Sequence, residues 1–254
     1  MLNNVFIVLV SVGTAAVFLY AVKRATDEPS RELSNDFTGA VVAVIGTTYA
    51  VLLAFMLGGV WNMLREAQGN AEREATAVIN IYRIASQIDS TPSVQIREVC
   101  RNYARNVIER EFPALEEKGQ MSPEGAQMIN QLWKLMEQSK VTSENDSISV
   151  YQMMEELRSL TEHRRLRAME SREGLPGILW AVLITGGIIT VAASCFFGVR
   201  NFHLHMMQVL MLSFLISLVL VAIADIDKPY QGPVRVDPGG FRYAVVTMSN
   251  ERVP

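Results

Sequence analysis

Charge is what this sequence lacks over long distances. The 254 residues include 23 Lys+Arg and 26 Asp+Glu, yet none falls within 1–22, 37–64, 174–199 or 201–224. An uncharged apolar run of about 18 residues or more can cross a ~30 Å hydrocarbon core as a helix. Four such runs exclude a soluble globular enzyme, a secreted protein and a mainly disordered chain. Cysteine is scarce as well. Cys100 and Cys195 are the only two, so no disulfide framework is implied and a reducing compartment fits. Histidine is rarer than in most enzymes, with only His163, His203 and His205. His203 and His205 stand two apart on a helix and point to different faces. No metal-spaced Cys/His cluster, phosphate-cradling glycine loop or nucleophile elbow occurs. These absences argue against catalysis and against a resident metal or cofactor.

The charge that exists is concentrated in residues 65–173. That block holds 15 Lys+Arg and 18 Asp+Glu, a net of −3, which equals the net of the whole chain. Such a mixed, slightly acidic block is a solvated helical surface without a nucleic-acid footprint. The chain therefore divides into a first membrane hairpin (1–64), a helical domain (65–173), a second membrane hairpin (174–226) and a tail (227–254). The first run lacks a basic n-region and exceeds the usual signal core, so it is read as a retained helix. The later spans start near Asp36, Pro176 and Phe202. Basic residues beside the spans set orientation. Lys23, Arg24, Arg31 and Arg200 lie on one side. Arg65, Arg73, Arg83, Arg164, Arg165, Arg167, Arg172, Lys228, Arg235 and Arg242 lie on the other. That bias places both termini and the charged block in the cytoplasm, with the spans in a cell (inner) membrane.

The block reads as helices. Trp61, Leu64, Gln68, Ala71, Ala75, Val78, Tyr82, Ala85 and Ile88 recur at three- and four-residue steps. The second membrane helix is therefore expected to run on past the bilayer without a break. Thr91-Pro92 or Ser93 starts a further helix that reaches about Lys118. Ser122-Pro123-Glu124 opens another, with the stripe Met128, Ile129, Leu132, Trp133, Met136. Asn145 or Asp146 begins a last long helix ending near Arg172. The tail, with its turns at 228–233 and 237–240, is expected to lie along these helices.

Polar groups concentrate in the second span, at Gly46-Thr47-Thr48-Tyr49 and at Gly58-Gly59. Thr hydroxyls can bond back to a carbonyl and Gly permits close packing, which is the structural alternative for each residue. Ile45, Thr48, Leu52, Phe55 and Gly59 share one helical face. Repeated around an axis, that face makes a hydroxyl layer between apolar collars, the elements with which pores select and gate. Asp225 and Asp227 end the fourth span and are read as ion-path or structural acids.

Taken in order, several marks make the chain resemble the bestrophin-like bacterial membrane proteins, distant relatives of bestrophin channels. They are Gly46, Tyr49-Ala50-Val51-Leu52-Leu53-Ala54-Phe55, Trp61, Glu74-Ala75-Thr76-Ala77 and Tyr82-Arg83. Arg165-Leu166-Arg167, Gly174-Leu175-Pro176, Trp180 and Phe197-Gly198 follow, then Asp225-Ile226-Asp227-Lys228-Pro229, Gly232 and Phe241. The resemblance implies an all-α membrane protein with four transmembrane helices per subunit and a helical cytoplasmic domain. It also implies a homopentamer around one pore whose neck is lined by the second helix. The neck here has a single phenylalanine, Phe55, and Asp225 with Asp227 does not form the acidic calcium cluster of animal bestrophins. Anion selectivity and calcium gating are therefore not carried over.

The second span contains no Lys or Arg, while its hydroxyls and carbonyls are hard oxygen ligands. The expected function is an ion channel passing monovalent cations, with K⁺ as the permeant ion. A chloride channel and a non-conducting membrane scaffold or sensor are the alternatives. A secondary transporter fits less well, because broken helix pairs and inverted repeats are absent.

Overall fold

The structure is a computed structural model that describes residues 2–26, 28–88, 90–139 and 144–250. Among these residues there are helices and no strands. The apolar runs become α1 (Leu2–Ala25), the first part of α3 (Asn35–Ala85), α8 (Gly177–Ser194) and α9 (Phe202–Ile226). Each is long and apolar enough to cross a membrane. The stretch between the first two spans contains a short helix, α2 (Glu28–Leu33).

The chain forms two compact units. The apolar unit comprises Met1–Trp61 and Gly174–Asp227; the charged unit comprises Asn62–Glu173 and Lys228–Pro254. The tail's residues 251–254 lie outside the described residues.

In the apolar unit, α1 packs on α9 and both touch α8. Ala15, Leu19, Val22, Cys195 and Val209 form one buried cluster. Tyr49, Leu53, Val60, Leu183, Ile216 and Ile223 form another. Ser11, Ser213 and Ser217 join α1 to α9 through hydroxyls, with Ser217 Oγ donating to Ser11 Oγ at 2.8 Å. Such bonds act as polar glue where no water competes. The Asn35 side chain clamps Gly198, accepting its N–H and donating to its carbonyl, each at 2.8 Å. A Cβ at Gly198 would strike the backbone of Arg31 and Glu32. Asn201 caps α9 by accepting from the Leu204 N–H at 3.2 Å.

The helix α3 runs unbroken through 51 residues. It extends past its span as the periodicity predicted. Leu64, Ala71, Ala75, Val78, Tyr82 and Ala85 of the stripe are buried, while Trp61 is 49% exposed. The next helix, α4 (Thr91–Asn106), is capped one residue earlier than expected: Ser90 Oγ accepts from the Ser93 N–H at 3.3 Å. It continues through a π-helical turn, Val107–Glu111, into α5 (Phe112–Lys118). Pro113 explains that turn. It has no N–H to offer four residues back, and the Phe112 N–H bonds instead to the Val107 carbonyl, five residues back.

The remaining helices are α6 (Pro123–Glu137), α7 (Glu144–Glu170) and α10 (Gly239–Asn250). Ser122 stands at the cap position of α6 without a side-chain bond there. On α6 the buried stripe is Ile129, Leu132, Leu135 and Met136, whereas Trp133 is half-buried. Helix α10 replaces the turn read at 237–240. Pro238 opens it, its carbonyl accepting from the Arg242 N–H at 3.0 Å, and Phe241, Ala244 and Met248 are its buried side chains.

Candidate pore face and the polar networks beside it

The span in α3 is the least buried of the four. Only 11% of its apolar window is covered, against 22–33% in the others. Thr47, Thr48, Phe55, Gly58 and Gly59 are exposed, and Phe55 is 72% exposed. Ile45, Gly46 and Leu52 are half-buried. The open stripe runs Phe37, Val41, Val44, Thr48, Val51, Phe55, at alternating steps of four and three. Thr48 and Phe55 stand on it beside Val44 and Val51, while Ile45 and Leu52 are half-buried next to it. It carries no formal charge, and Thr48 supplies its only hydroxyl. Nothing lies within 4 Å of a Cβ placed at Gly46, Gly58 or Gly59.

Tyr49 leaves this face. It is 5% exposed, and its hydroxyl donates to the Leu183 carbonyl at 2.8 Å. Its ring lies over two glycines of α8. A Cβ at Gly186 would stand 2.7 Å from two ring carbons, and one at Gly187 would stand 2.9 Å from the hydroxyl oxygen. The phenol, expected from sequence as a pore hydroxyl, satisfies its O–H within the subunit, as an apolar surrounding requires.

The two acids of α9 are held by neutral donors. Asp225 accepts from Asn4 Nδ2 at 2.9 and 2.8 Å. Asp227 accepts from the Leu175 N–H at 2.5 Å and from Trp180 Nε1 at 3.3 Å. It thus serves the start of α8, where Pro176 offers no side-chain cap and the helix dipole favours an anion. His205 is buried, its Nε2 3.0 Å from the Ser194 carbonyl; His203 is exposed and His163 half-buried. Among the described residues no three His, Cys, Asp or Glu side chains form a group able to hold a metal ion.

The charged unit holds a buried ion network that sequence reading did not assemble. Arg167, Glu74, Glu111 and Tyr103 are fully buried, and Arg164 is 9% exposed. Arg167 donates to Glu74 at 2.7 and 2.8 Å and to Glu111 at 2.6 Å. Arg164 donates to Glu111 at 2.7 Å and to the Ser122 carbonyl at 3.2 Å. Tyr103 donates to Glu74. Two arginines thus balance two carboxylates. Burial alone would lower Arg167; the charges of Glu74 and Glu111 outweigh it and hold the guanidinium well above its ordinary value. Burial first, then the Glu74 charge, pushes the Tyr103 phenol up, against the opposing pull of Arg167 and Arg164. The π-helical turn delivers Glu111 into the network, and Gly125 leaves room for it, since a Cβ there would collide with Glu111 and Arg164. The guanidinium of Arg167 also stands 5.7 and 5.9 Å from the ring centroids of Phe112 and Phe241.

Long uncharged helices with an unpartnered apolar stripe, joined to a charged helical unit, define a helical membrane protein. A family model described as the Bestrophin-like domain matches residues 5–241, and the chain belongs to the Bestrophin-like family. Its fold is that of solved relatives. A mutant of a bacterial Bestrophin homolog from Klebsiella pneumoniae superposes with a TM-score of 0.72 at 11% identity, covering 98% of this chain and 100% of that one. The same homolog solved by Zn-SAD phasing gives 0.70 at 11% identity, covering 98% and 99%. A further mutant described only as a membrane protein gives 0.71 at 11%, covering 99% and 100%. No curated protein matches the chain.

Proposed function

We propose that the chain is one subunit of a homopentameric ion channel in the inner membrane, passing monovalent cations, K⁺ foremost, along a pore lined by α3. The observation that carries this reading is the open stripe of α3. It is apolar and uncharged, with the hydroxyl of Thr48 on it and that of the exposed Thr47 beside it, on the helix whose span has the least cover from its own subunit. Lipid or other copies of the chain can cover that stripe, and copies around an axis would turn Thr48 into a ring of oxygens between collars at Val44, Val51 and Phe55. Hydroxyl oxygens can replace part of a cation's hydration. Residues 1–64 and 174–226 would then form the membrane domain, and 65–173 with 227–254 the cytoplasmic part, with both termini inside. Asp225 and Asp227 act as structural acids in this reading, and no cofactor is called for.

A chloride channel is the second reading. The absence of any formal charge along the open stripe favours it as well, since a neutral neck does not repel anions. Current from the unaltered chain separates both readings from a non-conducting scaffold, and replacing Thr48 with Ala tests the selectivity layer. In reconstituted liposomes the K⁺/Na⁺ permeability ratio should change severalfold. An unchanged ratio with intact current would remove Thr48 from the selectivity layer.

A further inference from the structure

In the charged unit a cavity of about 260 Å³ is lined by Glu66 of α3, Glu170 at the end of α7, Glu173 just beyond it and Pro229 of the tail. Glu170 is 9% exposed. One of its oxygens accepts from Asn70 Nδ2 on α3. The other lies 3.3 Å from the Tyr230 hydroxyl of the tail, which is also 3.3 Å from the Ala67 carbonyl of α3. A single carboxylate thus links α7, α3 and the tail. Its position along the chain matters too. The chain passes between the apolar and charged units at 61–62, 173–174 and 227–228. Glu66 and Asn70 follow the first crossing, Glu170 and Glu173 precede the second, and Pro229 and Tyr230 follow the third. The network therefore occupies the charged-unit root of all three connections.

We propose that Glu170 is a proton-operated joint: its protonation, set against Glu66 and Glu173, fixes how tightly α3, α7 and the tail are held at that root, and so makes conduction depend on the pH beside the charged unit. The effect on conduction rests on the channel reading above; proton uptake by Glu170 does not. When Glu170 is ionised, three like charges surround one cavity, which favours separation and hydration. When it is protonated, the repulsion falls while the bonds from Asn70 and Tyr230, which favour the ionised form, weaken, so the hold on α3 and the tail changes with the proton.

The groups facing Glu170 are defined on each side. From α3 come Glu66 and Asn70, the latter 3.4 Å from Arg73 Nη1. From the end of α7 comes Glu173. From the tail comes Tyr230, whose phenol also feels Arg167 and Glu74. Burial raises Glu170, the bonds from Asn70 and Tyr230 lower it, and the charges of Glu66 and Glu173 raise it again, so the balance lies above the ordinary glutamate range. A carboxylate raised on folding favours the folded state at low pH. That contribution is lost as pH rises through the raised value.

The test uses the full chain in liposomes. Infrared difference spectra across pH should show the carbonyl stretch of a protonated carboxyl group that disappears with rising pH. The band should be absent in Glu170→Gln and titrate at lower pH in Glu66→Gln and Glu173→Gln, whose side chains are exposed and whose loss should spare folding. Conductance should change over the same pH range in the unaltered chain. In Glu170→Gln it should stay, at every pH, at the level the unaltered chain shows in acid. A carboxyl band that persists in Glu170→Gln, or a conductance that keeps its full pH response there, overturns the proposal. A titrating Glu170 band with no current from any chain supports the proton joint and overturns the channel reading.

Discussion

Thr48 and Tyr49 are adjacent in the chain and opposite in role. Thr48 stands on the open stripe of α3, while Tyr49 turns inward to the Leu183 carbonyl. Tyr49→Phe should therefore cost about 1 kcal/mol of stability, the net worth of one hydrogen bond, and leave ion permeability ratios as they are. Thermal unfolding in detergent and bilayer currents would check the two halves separately. Arg167 belongs to a different class of residue. Removing it leaves Glu74 and Glu111 short of their shared partner inside the protein. Arg167→Met should cost about 3–5 kcal/mol and appear as loss of folded protein on size-exclusion chromatography. A variant that elutes and melts like the original would contradict the network's structural role. Part of this network was legible. Glu74 falls among Ala71, Ala75 and Val78 on the apolar stripe of α3, and Arg164 and Arg167 continue the buried Leu157–Leu160 row of α7. A charge on a buried stripe announces a buried partner. Which partner was not legible, because Glu111 reaches the site through a π-helical turn that no simple period predicts.

At the scale of elements, hydrophobic period and punctuation placed most helices. The continuity of α3 through 51 residues follows from an apolar face that never breaks. The link before α9 follows from Gly198 through Asn201. What sequence missed were features set by long-range contact. Helix α2, the cap at Ser90 and helix α10 all depend on neighbours far away in the chain or on a single side-chain bond. Pro238 and two glycines read as a turn, yet the helix begins there because Phe241, Ala244 and Met248 find a buried seat. The Gly198 link carries its own prediction. Its N–H and carbonyl are both taken by Asn35, and no Cβ fits against Arg31 and Glu32. Gly198→Ala should cost roughly 1–3 kcal/mol, as for overpacking of a tight contact, and lower the thermal midpoint. Ala at Gly46, where space is open, should leave it nearly unchanged.

For the whole molecule, four long apolar helices and a charged helical unit could be read from the distribution of charge alone. A pore could not, because in the channel reading it would be a property of several copies, to which one chain supplies only a wall. The open stripe of α3 is that wall in the channel reading, and its chemistry leans toward cations only through Thr48 and the lack of any basic residue along the span. The most direct measurement is the reversal potential of the purified protein in a planar bilayer under a KCl gradient. A current reversing near the K⁺ equilibrium potential is the predicted result. Reversal near the Cl⁻ equilibrium potential would contradict it and make the neutral neck an anion path.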